Sequence, residues 1–324
     1  VGTIAIIARR RTETGWAIGA YWGRSNLFLL RWIVGIRTEV TGAGGLNPVD
    51  GHRFLALGSL VALVLTGLGL LASFFHLGRP ERAWRSAAMW RTSWLSREVI
   101  ALPLFMLCLF LYGGSHLLGS GHASLIGAMT LVICVVLFVC TAMIYASVRF
   151  LQEWASPLTL VNYLLLGCAS GLMLATLLAA VSGMSGLVRP YALAAIVLTL
   201  AAWITRSASL VRNTRLKPKS TLQSAIGIKH PRIVQKAQGF MGGSFNTREF
   251  FHGRTVAVLR SVKWAFLLLA FPLPLLCLSL GLNTESTHWL WAAFGFQYIG
   301  LLMERWFFFA QANHPQNLYY QTIS

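Results

Sequence analysis

Charge is scarce in this chain. Only 11% of its 324 residues are charged, against about 25% in a soluble domain. So few charges cannot cover a water-facing surface, which excludes an ordinary soluble protein and leaves an integral membrane protein. Negative charge is scarcer still: nine Asp and Glu stand against 27 Lys and Arg, giving a net charge of +18. In a soluble protein that balance would point to nucleic acid. Here the basic residues lie in loops between apolar runs, so the expected partners are anionic lipid or a docked protein face, with no nucleic acid.

Metal-ligating patterns are also missing. The five cysteines (Cys108, Cys134, Cys140, Cys168 and Cys277) all fall inside apolar runs, and none forms a C-x-x-C pair. An iron–sulfur cluster, attached haem or zinc ribbon is therefore disfavoured in this chain, and the cysteines read as small hydrophobes packed in helices. Histidine is absent from the middle of every apolar run. His76, His116, His122 and His288 lie at the ends of runs, His52, His230, His252 and His314 in loops or the tail. A b-type haem needs histidines facing each other well inside the helices, so no haem and no metal are expected. After Arg9-Arg10-Arg11 there is no small-residue cleavage site, so the chain is expected to stay whole in the membrane.

What the chain has in abundance is apolar length. About eight runs are long enough to cross a bilayer as helices: 14–37, 54–75, 97–118, 122–147, 159–182, 187–205, 256–280 and 286–309. The fold class is all-α: a polytopic bundle forming a single membrane domain, 1–324, with an atypical N-terminal region, 1–50. Arg24 and Arg31 interrupt the first run and would have to face a partner helix or snorkel. These limits put the N-terminus, segments 76–97, 148–158 and 206–255 and the C-terminal tail on one side, together with most of the Lys and Arg. Cytoplasmic loops carry that excess, so both termini and those segments are expected in the cytoplasm, the chain being multi-pass in a bacterial inner membrane. Loop 206–255 is strongly basic and reads as an irregular docking loop, because Ser-Phe-Asn-Thr-Arg-Glu-Phe-Phe-His (244–252) mixes aromatics with charge.

The chemistry is expected in 74–98, a polar Arg- and Trp-rich segment between two apolar runs. It opens with His76 and closes with Glu98. A quinone takes up two protons along with two electrons, and its site needs hydrogen-bonding groups at the carbonyls and a route to water. An imidazole titrates near neutrality and is a natural donor. Glu98 would sit in the first turn of a span, with Ser96 as N-cap. Arg79, Arg82 and Arg85 recur at three-residue spacing and would form one stripe of an interfacial helix, while Trp84, Trp90 and Trp94 fit an aromatic belt. Without haem, electrons must reach the quinone from a cluster in a partner protein, and the basic face would provide the dock.

Phe-His-Leu-Gly-x-Pro-x-Arg-Ala (75–83), followed by Ser-Trp-Leu-Ser-Arg-Glu (93–98), resembles the signature of the dimethyl sulfoxide reductase membrane-anchor family. The resemblance runs from about residue 52 to the C-terminus. It implies a haem-free, eight-helix subunit tying a molybdopterin catalytic subunit and an iron–sulfur subunit to the quinone pool. It places the quinone and proton-relay residues on His76, Glu98 and Arg82; Arg79, Trp94, Ser96 and Arg97, from the same segment, are the expected supporting face of the site. Arg85, Arg91, Arg248, Glu249 and Phe250 are the expected docking residues. Within the family, 217–231, 242–252 and 304–317 look most like the membrane subunits of cytoplasmic sulfite dehydrogenases, so sulfite oxidation feeding ubiquinone or menaquinone is the implied function. The alternatives are a reductase anchor that oxidises quinol, a transporter, which would carry ionisable residues near the midplane and broken helices, and an inert structural anchor.

Overall fold

The computed structural model describes residues 48–75, 80–217, 221–234 and 256–314. His76, Arg79, Arg248, Glu249, Phe250 and the first apolar run, 14–37, lie outside them. The elements run α1 (Pro48–Phe75), a 3-10 helix (Pro80–Ala87), α2 (Trp94–Leu117), α3 (Ala123–Ala146), α4 (Pro157–Val181), α5 (Ser185–Thr214), α6 (Leu222–Ile226), α7 (Val256–Ala270), α8 (Pro272–Thr284) and α9 (Thr287–Ala310). Among the described residues there is no strand. Six helices are long and apolar enough to cross a membrane, α7 and α8 counting together as one. Helix α9 is as long as α2, at 24 residues, but carries Glu304 and Arg305.

Local chemistry sets where these helices begin and end. The Ser93 side chain caps α2 by accepting from the Ser96 N–H, and Ser156 caps α4 ahead of Pro157. Each such cap contributes about 1 kcal/mol. Left-handed glycines follow α2 and α4, Gly119 at φ 62° and Gly183 at φ 71°, where a side chain would be strained. Short connections make α2–α3 and α4–α5 antiparallel neighbours. Helix α9 packs on α4, α7 and α8, and α3 bridges α2 to α4.

The interior is built on small residues. Ala142, Ala179, Ala192, Ala195, Ala202 and Ala293 are fully buried. Against lipid tails there is no hydrophobic gain in pairing helices, so close backbone approach and dispersion hold the bundle. The tightest approach is Gly300 of α9 against the backbone of Leu269 and Ala270, where a Cβ would overlap both. Directly after Ala270 the chain breaks at Phe271 (φ −123°, ψ −81°), and Pro272 starts α8. Proline cannot donate into the preceding turn, so the break falls where the sequence puts it. Leucines of α1, α2 and α3 such as Leu60, Leu68, Leu107 and Leu125 point outward, as a lipid-facing surface requires.

Two expectations change here. Helix α5 runs to Thr214, so Arg206, read as the first residue of the basic loop, lies inside the bundle at 1% exposure. The polar tail of α5 extends the helix beyond its apolar stretch, which hydropathy alone cannot register. The basic segment also includes a short helix, α6, closed by a reciprocal Thr221–Ser224 capping box and the left-handed Gly227.

Candidate functional site

His52–Ser324 forms one compact unit, and the site described below lies within it. Helix α2 begins at Trp94, three residues before the expected 97, because Ser93 rather than Ser96 caps it. Ser96 becomes an interior helical residue, 3% exposed, and Glu98 sits just past the first turn. There it turns toward α3. The Thr141 hydroxyl lies 2.5 Å from Glu98 Oε1 and 3.0 Å from the Leu137 carbonyl. One hydroxyl hydrogen serves one acceptor well, and the shorter, charge-assisted contact takes it. The Glu98 side chain is thereby held by a neutral hydroxyl donor from the neighbouring helix.

Arg97, the residue before Glu98, reaches back to the preceding turn. Its Nε donates to the Trp90 carbonyl at 2.9 Å and its Nη2 to the Arg91 carbonyl at 2.8 Å, and the guanidinium lies 4.2 Å over the Trp94 ring. These contacts fasten the turn before α2 onto its first residues. Beneath it an apolar groove of about 490 Å³ runs between α2 and α3, lined by Trp90, Trp94, Arg97, Leu104, Val136 and Cys140 among others. That volume suits a small ring compound. Glu98 and Thr141 are not among the groove-lining residues; they lie on the two helices that wall the groove, each following a lining residue, Arg97 and Cys140, in sequence.

The 3-10 helix puts three residues in a turn, so Arg82 and Arg85 share one stripe, as the spacing predicts. Arg82 Nε lies 3.9 Å from Glu81 Oε1 with both side chains more than half exposed. A pair so open to water contributes little. Arg85 and Arg91 are exposed beside Trp84 and Trp90, at 5.5 and 5.4 Å.

A second cluster escaped the sequence reading. Glu304 of α9 is fully buried between two guanidiniums: Arg206 Nε of α5 at 2.7 Å from Oε1, and Arg305 Nη2 at 2.5 Å from Oε2. Arg305 lies 4.3 Å over the Tyr163 ring, and Tyr163 stacks on Tyr145 at 5.8 Å. Trp154 and Phe308 complete the cage, with the indole N–H donating to the Phe308 carbonyl at 3.0 Å. The only sequence signal was Glu304-Arg305 inside the last apolar run. Above the cage, in the 147–156 loop, Arg212 Nη2 donates to the Gln152 carbonyl at 2.9 Å. Burial pushes the Glu153 carboxyl above its ordinary range, against backbone N–H groups and Arg212 that pull it down. Burial pushes the His314 imidazole below its ordinary value.

Among the described residues no group of three or more His, Cys, Asp or Glu could hold a metal ion. Known proteins can now be set beside this geometry. No solved structure matches the chain. It is 54% identical over 290 residues to a sulfite dehydrogenase subunit of Allochromatium vinosum, an alignment that spans 86% of this chain and 89% of that one. Residues 48–289 match the model of the DMSO reductase anchor subunit (DmsC), a stretch that contains the capped start of α2, Glu98, Thr141 and the groove. With six helices able to cross a membrane among its described residues and this match over most of its length, the chain belongs to the DMSO reductase anchor subunit family.

Proposed function

We propose that this chain is the quinone-reactive membrane anchor of a sulfite dehydrogenase complex. Electrons from sulfite oxidation at a molybdopterin centre pass through iron–sulfur clusters of a partner protein to ubiquinone or menaquinone. The observation that carries this reading is the 54% identity to a sulfite dehydrogenase subunit, over 89% of its length. The site geometry supports it. Glu98 is held by a neutral hydroxyl between α2 and α3, the two helices that also wall an apolar groove lined by Trp90, Trp94 and Arg97. His76, at the other end of the same segment, is the proposed second hydrogen-bonding group.

The quinone would lie in the groove with its head toward the loop end. Glu98 donates a proton to a carbonyl oxygen as it gains electron density, and Thr141 stabilises the carboxylate that remains. Trp94 and Arg97 line the groove, and Arg79, Arg82 and Ser96 are the proposed supporting residues of the quinone site. Arg85 and Arg91, both exposed, are the proposed docking residues for the iron–sulfur partner, as are Arg248, Glu249 and Phe250, and the side proposed for them and for both termini is the cytoplasmic side of the inner membrane. No haem is needed if the partner's cluster docks on this face.

Quinol oxidation toward a sulfoxide is the second reading, favoured by the family's own description. A transporter is disfavoured. The buried ions Arg206 and Glu304 lie in the C-terminal halves of α5 and α9, about 12 and 9 Å from the helix ends at 1.5 Å per residue, and are paired with each other at 2.7 Å rather than facing a path. The break at Phe271 is filled by that fully buried ring rather than opening a polar cavity. Sulfite-driven reduction of a short-chain ubiquinone by the complex that co-purifies with this chain tests the proposal. Quinol-driven sulfoxide reduction in its place would move the chain to the second reading.

A further inference from the structure

Resting on that quinone-site reading, we infer that Tyr145 and Tyr163 form a hydroxyl pair that reloads Glu98 with protons from the loop face, held in place by the Arg206–Glu304–Arg305 triad. Tyr145 lies four residues after Thr141 on α3, so the two side chains share one face of that helix. Thr141 holds Glu98 at 2.5 Å, so Tyr145 lies one helical turn nearer the loop face than the hydroxyl that touches Glu98. The Tyr145 and Tyr163 rings stack at 5.8 Å and 18°. Arg305 covers the Tyr163 ring at 4.3 Å. Five helices thus contribute to one polar line inside an otherwise apolar bundle: α2 (Glu98), α3 (Tyr145), α4 (Tyr163), α9 (Glu304 and Arg305) and α5 (Arg206).

Reduction of a quinone follows Q + 2e⁻ + 2H⁺ → QH₂. The electrons come from the partner's iron–sulfur clusters and the protons from water at the loop face. Each time Glu98 gives a proton to a quinone oxygen it is left as a carboxylate and must be refilled before it can act again. The Tyr145 hydroxyl can pass its proton to that carboxylate directly or through one water, and Tyr163 in turn refills Tyr145. Negative charge then develops on a phenol oxygen. The triad is suited to offset it, since two guanidiniums on one carboxylate leave a net charge of +1. Arg206 Nη2 and Arg305 Nη1 have no hydrogen-bond acceptor among the described residues. Glu304, fixed between two cations, orients Arg305 and is a positioning residue, not a carrier.

A purely structural cage is the competing explanation, because Tyr145 also packs edge-on against Trp154, Phe308 and Phe309 at 5.3 to 5.5 Å. Phenylalanine fills that cage equally well, which separates the hydroxyls from the packing. The test uses Tyr145→Phe and Tyr163→Phe in the whole complex. Sulfite-driven reduction of a ubiquinone analogue is followed from about pH 6 to about pH 9, with an artificial dye acceptor as the control for assembly. Quinone turnover should fall by about tenfold or more, the loss deepening as pH rises and protons become scarcer, while dye reduction is unchanged. Wild-type turnover in both variants, or a loss equal at every pH, overturns the relay. Glu98→Gln run alongside separates the two readings. If it still reduces quinone, the site assignment fails and the relay with it. If it is dead while both Phe variants are normal, the relay alone fails.

Discussion

Replacing Glu304 by Gln should destabilise the bundle more than any other single change of comparable size. Glu304 is 0% exposed and Arg206 2%, whereas Arg305 keeps 29% of its side chain accessible. Without the carboxylate, Arg305 can swing toward solvent, but Arg206 cannot. Removing one partner of a buried pair costs about 3–5 kcal/mol, because the other charge stays buried and uncompensated. Gln keeps one acceptor oxygen at the Arg206 position, so the lower end, about 3 kcal/mol, applies. That is roughly a hundredfold in the folded-to-unfolded ratio. Thermal unfolding of the purified complex in detergent, followed by tryptophan fluorescence, should show the loss, with Trp154 stacked on Phe308 at 5.3 Å as a local reporter. The paired change Arg206→Met with Glu304→Leu should recover much of it, since an apolar replacement removes the charge and its desolvation cost together. Wild-type stability in Glu304→Gln would refute this account of the triad.

Three other outcomes follow from the geometry. Gly300→Val should prevent α9 from seating on Leu269 and Ala270, seen as loss of folded, co-purifying chain, whereas Gly295→Ala, with open space around it, should be tolerated. Trp154→Phe keeps the stack on Phe308 but loses the indole N–H to its carbonyl, about 1 kcal/mol in an unfolding experiment. For pH, the raised Glu153 carboxyl contributes stability that is full below its ordinary value of 4.5 and lost as pH rises through its folded value. His314, lowered by burial, contributes stability present above 6.5 and lost as pH falls through its folded value. Glu153→Gln should therefore flatten the alkaline side of the stability profile, and His314→Gln the acidic side, in unfolding scans over pH.

Hydropathy located the spanning helices because uninterrupted apolar length is itself the signal; α2 through α5 fall within a few residues of the runs, apart from the polar extension of α5. Glu98 was legible because a lone carboxylate at a span's mouth stands out in one dimension. Its partner Thr141 was not, since a threonine in an apolar helix carries no signal until tertiary packing brings it across. The triad was hidden for the same reason. Arg206 borders a run of basic residues, and Glu304 lies 98 positions away; only the contact of α5 with α9 gives either a meaning. Ser93 and Ser96 compete for one cap, and the winner is decided by which backbone N–H the hydroxyl reaches.

The central claim is that quinone chemistry takes place at Glu98. The most direct measurement is sulfite-driven reduction of a ubiquinone analogue by the complex carrying Glu98→Gln, with dye reduction measured on the same preparation. The account requires quinone turnover to be abolished while dye reduction stays at the wild-type rate. Quinone turnover at the wild-type rate in that variant would contradict it.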